Sequence, residues 1–378
     1  MRALLVDQSR DRATLVAARN LAAAGFAVAT GACEPSFASI SRHTGRHHEI
    51  HECEEDEDRF VADIATAVAE GGYDIVFCSY DLGLLTLSRR REELAPAVWP
   101  YASQAVVERA FDKLELAEMA RAAGLQSPRT EAADADTLAA WQGPVVVKAR
   151  THVPKRFDTG IFATAAEGRE LAEQIAAEGG RPLLQEPMSG EMGAVVVVVA
   201  RDGAIVAEIH QEAVHTWPPE AGDTVRGRIV APDPELSRGV RKLVADLGWF
   251  GLAQVEFVRN GAGEAHITDF NGRFYGSMAL ATGAGANLPA LWANEALGRG
   301  TGGLSVAARR GASFQWLNRD LAAAHAHGPR ALLETLAAVP VSAHSMWDIR
   351  DPAPALRYLL PEAARRLGSR LHGETDAR

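Results

Sequence analysis

Three residues with oxygen-bearing side chains, Glu256, Asp269 and Asn271, are spaced so that a β-hairpin would bring them together. Residues 253–259 and 265–270 are short apolar runs, and the Asn-Gly-Ala-Gly sequence between them is typical of a tight turn. Side chains alternate between the two faces of a strand, so Asp269 and Asn271 share a face, and the pairing brings Glu256 opposite or diagonal to them. Because Mg²⁺ prefers oxygen ligands and is commonly shared with nucleotide phosphates, the hairpin predicts a magnesium site. The alternative is a surface hairpin with incidental acids.

Two arginines are the candidate catalytic residues. Arg273 lies two residues after Asn271, on the same face, and adds a fixed positive charge near the predicted metal. Arg226 precedes the metal strands and could hold a substrate carboxylate or the transferred phosphate, since a positioned guanidinium stabilises developing negative charge. A surface ion pair is the open alternative for Arg226.

A lysine ends another predicted strand. The run Pro144–Val147 is apolar and β-branched, and Lys148 follows it. The loop at residues 150–160 contains Lys155 and Arg156, which predict a cover over phosphate groups. The alternative for Lys148 is a surface lysine whose stem lies along apolar neighbours.

Composition limits the function classes. The chain has 378 residues, of which 47% are hydrophobic and 23% charged, and its formal net charge is -10. This length predicts two or three packed lobes. The acidic balance disfavours nucleic-acid partners, which need a basic face. Three widely spaced cysteines imply no disulfide framework and favour a cytoplasmic location. Neither a signal peptide nor a membrane-spanning run is evident in the sequence, so a soluble protein is expected.

The order of the predicted elements suggests three parts. Residues 1–107 alternate strands and helices and predict a parallel α/β lobe, whose first loop lacks the glycine pattern of a dinucleotide site. Residues 108–300 predict two further lobes, one a sheet with helices and the other a sheet ending in the metal hairpin. Residues 301–378 predict a mostly helical extension. Histidines and acids within residues 43–58 are interpreted as a solvated loop rather than a zinc site, because close pairs of ligands do not repeat.

Five short motifs follow one another along the chain: Asp112-Lys113, Pro144–Lys148, Gln185–Glu191, Gln254–Phe257 and Asp269–Arg273. They occur in the order seen in the ATP-grasp superfamily, which the chain resembles over about residues 1–300. Within that superfamily the chain most resembles carboxylate-amine ligases with a carbamoyl-phosphate-synthase-like grasp. The usual metal motif is Glu-x-Asn-x-Arg, so Asp269 is a departure.

The resemblance implies an ATP-grasp fold, α/β and α+β in class, with an N-terminal parallel α/β lobe, a two-lobed nucleotide-binding grasp and a helical C-terminal tail. It assigns Lys113 and Lys148 to the nucleotide phosphates and Glu191 to the ribose. A hinge near residues 185–191 would hold the adenine, with Leu184 and Met188 on its two faces and backbone groups reading its edge. The hinge residues so implied are Gln185, Glu186 and Met188.

The implied activity is an ATP-dependent ligase that forms an amide through an acyl phosphate and releases ADP and phosphate. ATP and Mg²⁺ would be required, with Mn²⁺ as a substitute, and the partners would be a carboxylic acid and an amine, an amino acid or peptide among them. A homodimer is an open expectation. The rival predictions are an ATP-grasp carboxylase, another acyl-phosphate-forming enzyme and an ATP-binding scaffold with weakened catalysis.

Overall fold

The computed structural model describes residues 1–8, 11–151, 159–218 and 222–358. Within them lie a four-stranded parallel sheet, a four-stranded antiparallel sheet and a seven-stranded sheet. The predicted α/β and α+β fold is confirmed. The loop residues Lys155 and Arg156 lie outside the described residues. No helix of the described part of the chain is both long and apolar enough to cross a membrane.

The N-terminal lobe is the parallel α/β unit that the sequence predicts. Its sheet has the order β3-β2-β1-β4, and every neighbouring pair is parallel. The start of the first helix is fixed by Asp11, whose carboxylate accepts hydrogen bonds from the backbone N–H groups of Ala13 and Thr14. The elements are β1 (Arg2–Val6), α1 (Arg12–Ala23), β2 (Ala27–Ala32), β3 (Thr44–Glu49), α2 (Glu57–Gly71), β4 (Ile75–Cys78), α3 (Asp81–Arg89), a 3-10 turn (Arg91–Leu94) and α4 (Gln104–Phe111).

One part of this lobe differs from the sequence-based interpretation. Residues 44–49, which we interpreted as part of a solvated loop, form the edge strand β3, and this strand carries His47 and His48. An edge strand pairs on one side only, so polar residues on it can remain hydrated. His48 is buried and its Nε2 lies 2.6 Å from the Tyr73 hydroxyl. In the described ranges, no group of three histidine, cysteine, aspartate or glutamate side chains converges as a metal site.

The smaller antiparallel sheet has the order β5-β8-β6-β7. Its core side chains Val145, Val147, Leu184 and Ile175 pack together and are fully buried. The elements are α5 (Lys113–Ala122), β5 (Thr130–Ala132), α6 (Ala135–Ala140), β6 (Val145–Ala149), β7 (Gly160–Phe162), α7 (Arg169–Ala177) and β8 (Pro182–Gln185).

The seven-stranded sheet has the order β13-β12-β9-β10-β11-β14-β15. One of its inner strands contains five consecutive valines, residues 195–199, each at most 1% exposed, because both faces of the sheet are covered there. The elements up to residue 300 are β9 (Glu191–Val199), β10 (Ile205–Trp217), β11 (Asp223–Ile229), α8 (Pro234–Leu247), β12 (Gly251–Arg259), β13 (Ala265–Asn271), α9 (Ala279–Gly283) and α10 (Leu288–Ala296).

The C-terminal region contributes more than helices. Two of its strands extend the seven-stranded sheet, and Arg19 of the N-terminal lobe binds Asp351 at 2.9 Å. The predicted boundary at residue 300 therefore does not coincide with an edge of this sheet. The elements are β14 (Ser313–Gln315), α11 (Leu317–His327), α12 (Pro329–Ala338), a 3-10 turn (Val339–Val341) and β15 (Ser342–His344).

Candidate active site

The predicted metal residues lie on the antiparallel pair β12 and β13. Glu256 is directly opposite Asp269, and Asn271 is opposite Gln254 on the same face. The register of the pair shifts by one residue here, because β13 contains Thr268 as an extra residue. In a regular register Glu256 would face Thr268 instead of Asp269. Asn271 Nδ2 lies 3.2 Å from Glu256 Oε1. The register thus brings the three side chains together at one end of the hairpin.

Two lysines approach these carboxylates from the smaller sheet and its first helix. Lys113 is the first residue of α5, and its Nζ lies 3.7 Å from Asp269 Oδ1. Lys148 is on β6, on the face opposite to the core residues Val145 and Val147. Asp112 holds the two elements together, because its carboxylate binds Arg150 Nε at 2.6 Å and caps α5.

The charges of this group are strongly coupled. Burial, followed by the negative charges of Asp269 and Asp223, raises the pKa of Glu256. Burial would also raise the pKa of Asp269, but the ammonium groups of Lys113 and Lys148 outweigh it and hold that pKa below its usual value. Burial and the charge of Lys113 lower the pKa of Lys148 to about 8. A cation placed between the two carboxylates would relieve the repulsion between them. Anionic phosphates at the two lysines would likewise relieve the repulsion between the ammonium groups.

Arg273 lies in the segment after β13 and is held by the N-terminal lobe. Its Nε and Nη2 donate to the two carboxylate oxygens of Asp81 at 2.7 and 2.8 Å, a bidentate pair. Its Nη1 donates to the Phe274 carbonyl oxygen at 3.0 Å. The predicted catalytic role of Arg273 stays a prediction.

Arg226 lies on β11 and is 7% exposed. Its Nη2 lies 2.8 Å from His215 Nε2, and its Nε lies 3.7 Å from an oxygen of Asp320 on α11. The neighbouring Gly227 pairs with Ala213, which lines the cavity described below, so the side chain of Arg226 points to the other face of the sheet. The structure therefore does not bring Arg226 together with the metal residues.

The predicted hinge connects β8 of the smaller sheet with β9 of the larger one. Gln185 is buried and its Nε2 donates to Thr130 Oγ1 at 2.9 Å, whereas Glu186 is exposed and Met188 is half-buried. Glu191, the first residue of β9, is exposed and pairs with Arg259. The nucleotide-binding roles of these four residues stay predictions.

The other side chain that the resemblance places against the adenine, Leu184, belongs to the core of the smaller sheet. The residues of β6 that alternate away from that core are Val146 and Lys148, so Val146 shares the face of Lys148. Because side chains alternate strictly along a strand, the sequence already indicates that Val146 shares the face of Lys148, and our sequence-based interpretation missed this point.

A cavity of about 70 Å³ adjoins the metal strands. Glu256 and Gln254 contribute one wall, and Gln211 and Ser277 contribute another. Its remaining lining includes Asp223 and an arginine from the first helix, Arg12. Burial lowers the pKa of this arginine. Arg12 lies over two hundred positions away from the metal strands in the sequence, so no motif or spacing connects it with them.

Comparison with solved structures finds the same architecture in several enzymes. An L-amino acid ligase from Bacillus licheniformis matches with a TM-score of 0.61 and 15% identity over 81% of this chain and 77% of that one. The N5-carboxyaminoimidazole synthetase from Staphylococcus aureus matches with a TM-score of 0.65 and 12% identity over 86% of this chain and 85% of that one. The chain has the ATP-grasp fold.

Carboxylases share the ATP-grasp fold to the same degree. The biotin carboxylase domain of the 2-oxoglutarate carboxylase from Hydrogenobacter thermophilus, in complex with MgADP, ADP and bicarbonate, matches with a TM-score of 0.64. It is 16% identical over 82% of this chain and 73% of that one. Comparison of the sequence with family models and with curated proteins finds no match. At these identities the likeness establishes the fold and leaves the reaction to be argued from the site.

The residues at the end of the β12–β13 hairpin suit a magnesium ion. Two carboxylates face each other across β12 and β13, beside an amide oxygen donor, and hard oxygen donors are the ligands that Mg²⁺ selects. Burial, and after it the negative charge of Asp269, raises the pKa of Glu256, and a divalent cation would offset the repulsion between the two carboxylates. Glu256, Asp269 and Asn271 are therefore the residues that would hold it.

A larger cavity, of about 230 Å³, lies within the C-terminal region and lacks this chemistry. Its walls are mostly apolar, with Trp316, Leu321 and Met346 among them. Its histidine, His344, has both ring nitrogens at hydrogen-bond distance from backbone carbonyl oxygens. Among the described residues that line it, this cavity offers no charged group for phosphate or carboxylate, so the smaller cavity at the metal strands is the candidate active site.

Proposed function

We propose that this protein is an ATP-dependent carboxylate-amine ligase that activates its acid as an acyl phosphate and releases ADP and phosphate. One observation carries the proposal: the ammonium group of Lys113 lies 3.7 Å from Asp269, which faces Glu256, so phosphate-binding cations and metal-binding carboxylates meet at one point. This is the charge arrangement that transfer of a terminal phosphoryl group requires.

The proposed roles follow from the charges. Lys113 and Lys148 bind the phosphate oxygens as point charges. Glu256, Asp269 and Asn271 hold Mg²⁺, which when bound neutralises phosphate oxygens. The acid lies in the cavity beside Glu256, so that its oxygen faces the terminal phosphoryl group in line. Transfer gives an acyl phosphate and ADP, and the amine nitrogen then displaces phosphate and loses a proton. Arg273, two residues beyond the last metal residue, stabilises the negative charge that develops.

The test is to measure ADP and phosphate release from ATP with a panel of amino acids and dipeptides. With the correct acid, hydroxylamine should replace the native amine and trap the acyl phosphate as a hydroxamate, because it is a strong small nucleophile. The Lys113→Ala variant should lose this product. Stoichiometric AMP and pyrophosphate would overturn the proposal, since an adenylating enzyme attacks the α-phosphate instead.

A carboxylase is the second candidate, because the cavity also has room for the acid that such an enzyme activates. A space of about 70 Å³ would accept bicarbonate, which can also be activated as an acyl phosphate. Bicarbonate-dependent ADP release that no amino acid reproduces, in buffer freed of carbon dioxide as the control, would favour this candidate. Release that depends on an amino acid and is indifferent to bicarbonate would exclude it.

A further inference from the structure

An arginine of the N-terminal lobe reaches into the cavity at the metal strands. Arg12 lines that cavity together with Glu256, and its side chain is 11% exposed. Its Nε donates to the Gly276 carbonyl oxygen at 3.1 Å, and its guanidinium carbon lies 3.6 Å from the centre of the Trp316 ring. These contacts fix the plane of the guanidinium without neutralising its charge.

The positive charge of Arg12 is only weakly paired. Its ion pair among the described residues is with Asp223, at 3.5 Å, and the Asp223 side chain is 66% exposed, so solvent screens the interaction. A mostly buried guanidinium with such a partner is poised for an anion that can accept two parallel N–H groups, as a carboxylate does.

The same cavity offers a hydrogen-bond acceptor. Gln211 is 4% exposed and its Nε2 donates to Ser277 Oγ at 2.9 Å. Its Oε1 is buried and has no hydrogen-bond partner in the part of the chain that the structure describes. A buried acceptor without a donor is costly, so this atom calls for a donor on the ligand.

We propose that Arg12 is the residue that binds the carboxylate of the acid substrate, and that this acid is a small α-amino acid whose ammonium group faces Gln211 and Asp223. The inference rests on the proposed function and adds the anchor and the size limit. A cavity of about 70 Å³ accommodates glycine or alanine better than an acid with a long side chain. Arg12 also makes the N-terminal lobe part of the substrate site.

Glycine at position 276 provides a way to displace Arg12 without deleting it. A Cβ atom at Gly276 would lie 2.3 Å from Arg12 Nη2, closer than such atoms approach. Gly276→Ala therefore pushes the guanidinium aside while its charge stays in the chain. Arg46, on the edge strand of the same lobe and paired with Glu70 on the surface, supplies the matched control Arg46→Ala.

Binding is measured first, by calorimetric titration of glycine, alanine, propionate and leucine into the protein saturated with Mg²⁺ and a non-hydrolysable ATP analogue. Wild type should bind alanine about tenfold more tightly than propionate, which lacks the ammonium group, and than leucine, which is too large. Arg12→Ala should weaken alanine binding by about tenfold or more, and Arg12→Lys and Gly276→Ala by less. Arg46→Ala should bind as wild type does.

The affinity of each variant for the ATP analogue shows whether Arg12 binds the acid or the phosphates. It should stay within about twofold of wild type, which also shows that each variant is folded. A loss of analogue affinity in Arg12→Lys and Gly276→Ala would assign Arg12 to the phosphates and overturn the inference. Equal alanine binding by wild type and Arg12→Ala, or no binding by wild type, would overturn it as well. Acid-dependent ADP release decides the proposed reaction separately, because the binding comparison needs no turnover.

Discussion

Lys148 is in surroundings that oppose its positive charge. Burial and the neighbouring Lys113 together lower its pKa to about 8, while the carboxylates of Asp269 and Glu256 act in the opposite direction. Near neutral pH the unliganded protein therefore holds mostly protonated Lys148, and above about pH 8 mostly neutral Lys148. Phosphate groups bound at Lys148, as we propose, would favour its protonated form, so we expect nucleotide binding above that pH to be accompanied by proton uptake.

The affinity for MgADP should therefore fall as the pH rises from about 7 to about 9, approaching about tenfold per pH unit above the pKa of the free protein. Calorimetric titration in buffers of different ionisation enthalpy measures both the affinity and the proton uptake. Lys148→Arg keeps its charge throughout this range and should bind with little pH dependence. Parallel pH profiles for wild type and Lys148→Arg would remove Lys148 from the nucleotide site.

Glu256 is predicted to matter for turnover and not for stability. Replacing it by glutamine removes a carboxylate that would hold the metal and should lower turnover by about a hundredfold or more, since metal contacts contribute several kcal/mol to transition-state stabilisation. The same change removes repulsion with Asp269, so the melting temperature should stay equal or rise. Asn271→Ala should also lose turnover.

The control for both metal variants is Glu264→Gln at the exposed end of the hairpin, which should keep wild-type rates. Initial rates at saturating Mg²⁺ and thermal unfolding are the measurements. Near-normal rates for Glu256→Gln and Asn271→Ala would refute the metal assignment.

At the scale of the elements, the hairpin was predictable and its exact register was not. The turn sequence at residues 260–263 sets the pairing of β12 with β13, and this much follows from local chemistry. The extra residue Thr268, which puts Asp269 opposite Glu256, depends on the neighbouring strands and has no local signature. The helix Pro234–Leu247 has a local signature, and the sequence indicated it correctly. The edge strand at residues 44–49 depends on its neighbouring strand, and the sequence-based interpretation missed it.

The hinge between the smaller antiparallel sheet and the seven-stranded sheet contains a glycine that the structure requires. Gly190 has φ of +149°, and a Cβ atom there would lie 2.0 Å from the Arg259 carbonyl oxygen on β12. Gly190→Ala should cost about 1–3 kcal/mol of unfolding free energy and weaken MgADP binding, because β12 and the hinge must separate. Gly203→Ala is the matched control, with φ of +84° and open space around its Cβ position.

Chemical denaturation and MgADP titration of the two variants test this prediction. Gly203→Ala should lose about 1–2 kcal/mol from its backbone conformation alone and keep its nucleotide affinity. An affinity loss of the same size in both variants would show that the close approach at Gly190 does not position the hinge.

At the scale of the whole molecule, the active site depends on contacts between lobes that the sequence could not reveal. Arg12 reaches the cavity from the first helix, and β14 and β15 extend the large sheet although the sequence indicated a mostly helical tail. Such contacts join residues far apart in the chain, where neither periodicity nor motif spacing carries information. The motif Asp269–Arg273 indicated the charges correctly but not the partner that the N-terminal lobe provides for Arg273.

That partner makes Arg273 a link between the N-terminal lobe and the metal strands. Asp81 is 7% exposed and holds Arg273 through two hydrogen bonds, so removing either side chain breaks a largely buried bidentate ion pair. Asp81→Asn and Arg273→Gln should each lower the unfolding free energy by about 3 kcal/mol. The double variant should be less destabilised than the sum of the two, with a coupling of about 1–3 kcal/mol.

Turnover then distinguishes a structural Arg273 from a catalytic one. If Arg273 also stabilises the reacting phosphoryl group, Arg273→Gln should lose far more activity than Asp81→Asn. The reason is that Asp81→Asn keeps the guanidinium of Arg273 and even releases it towards the site. Denaturant unfolding of the four proteins in the cycle gives the coupling, and ADP release by the same preparations gives the activity. Equal activity losses in the two single variants would assign Arg273 to holding the lobes together, and the charge stabilisation at the reacting centre would then have to come from the lysines and the metal.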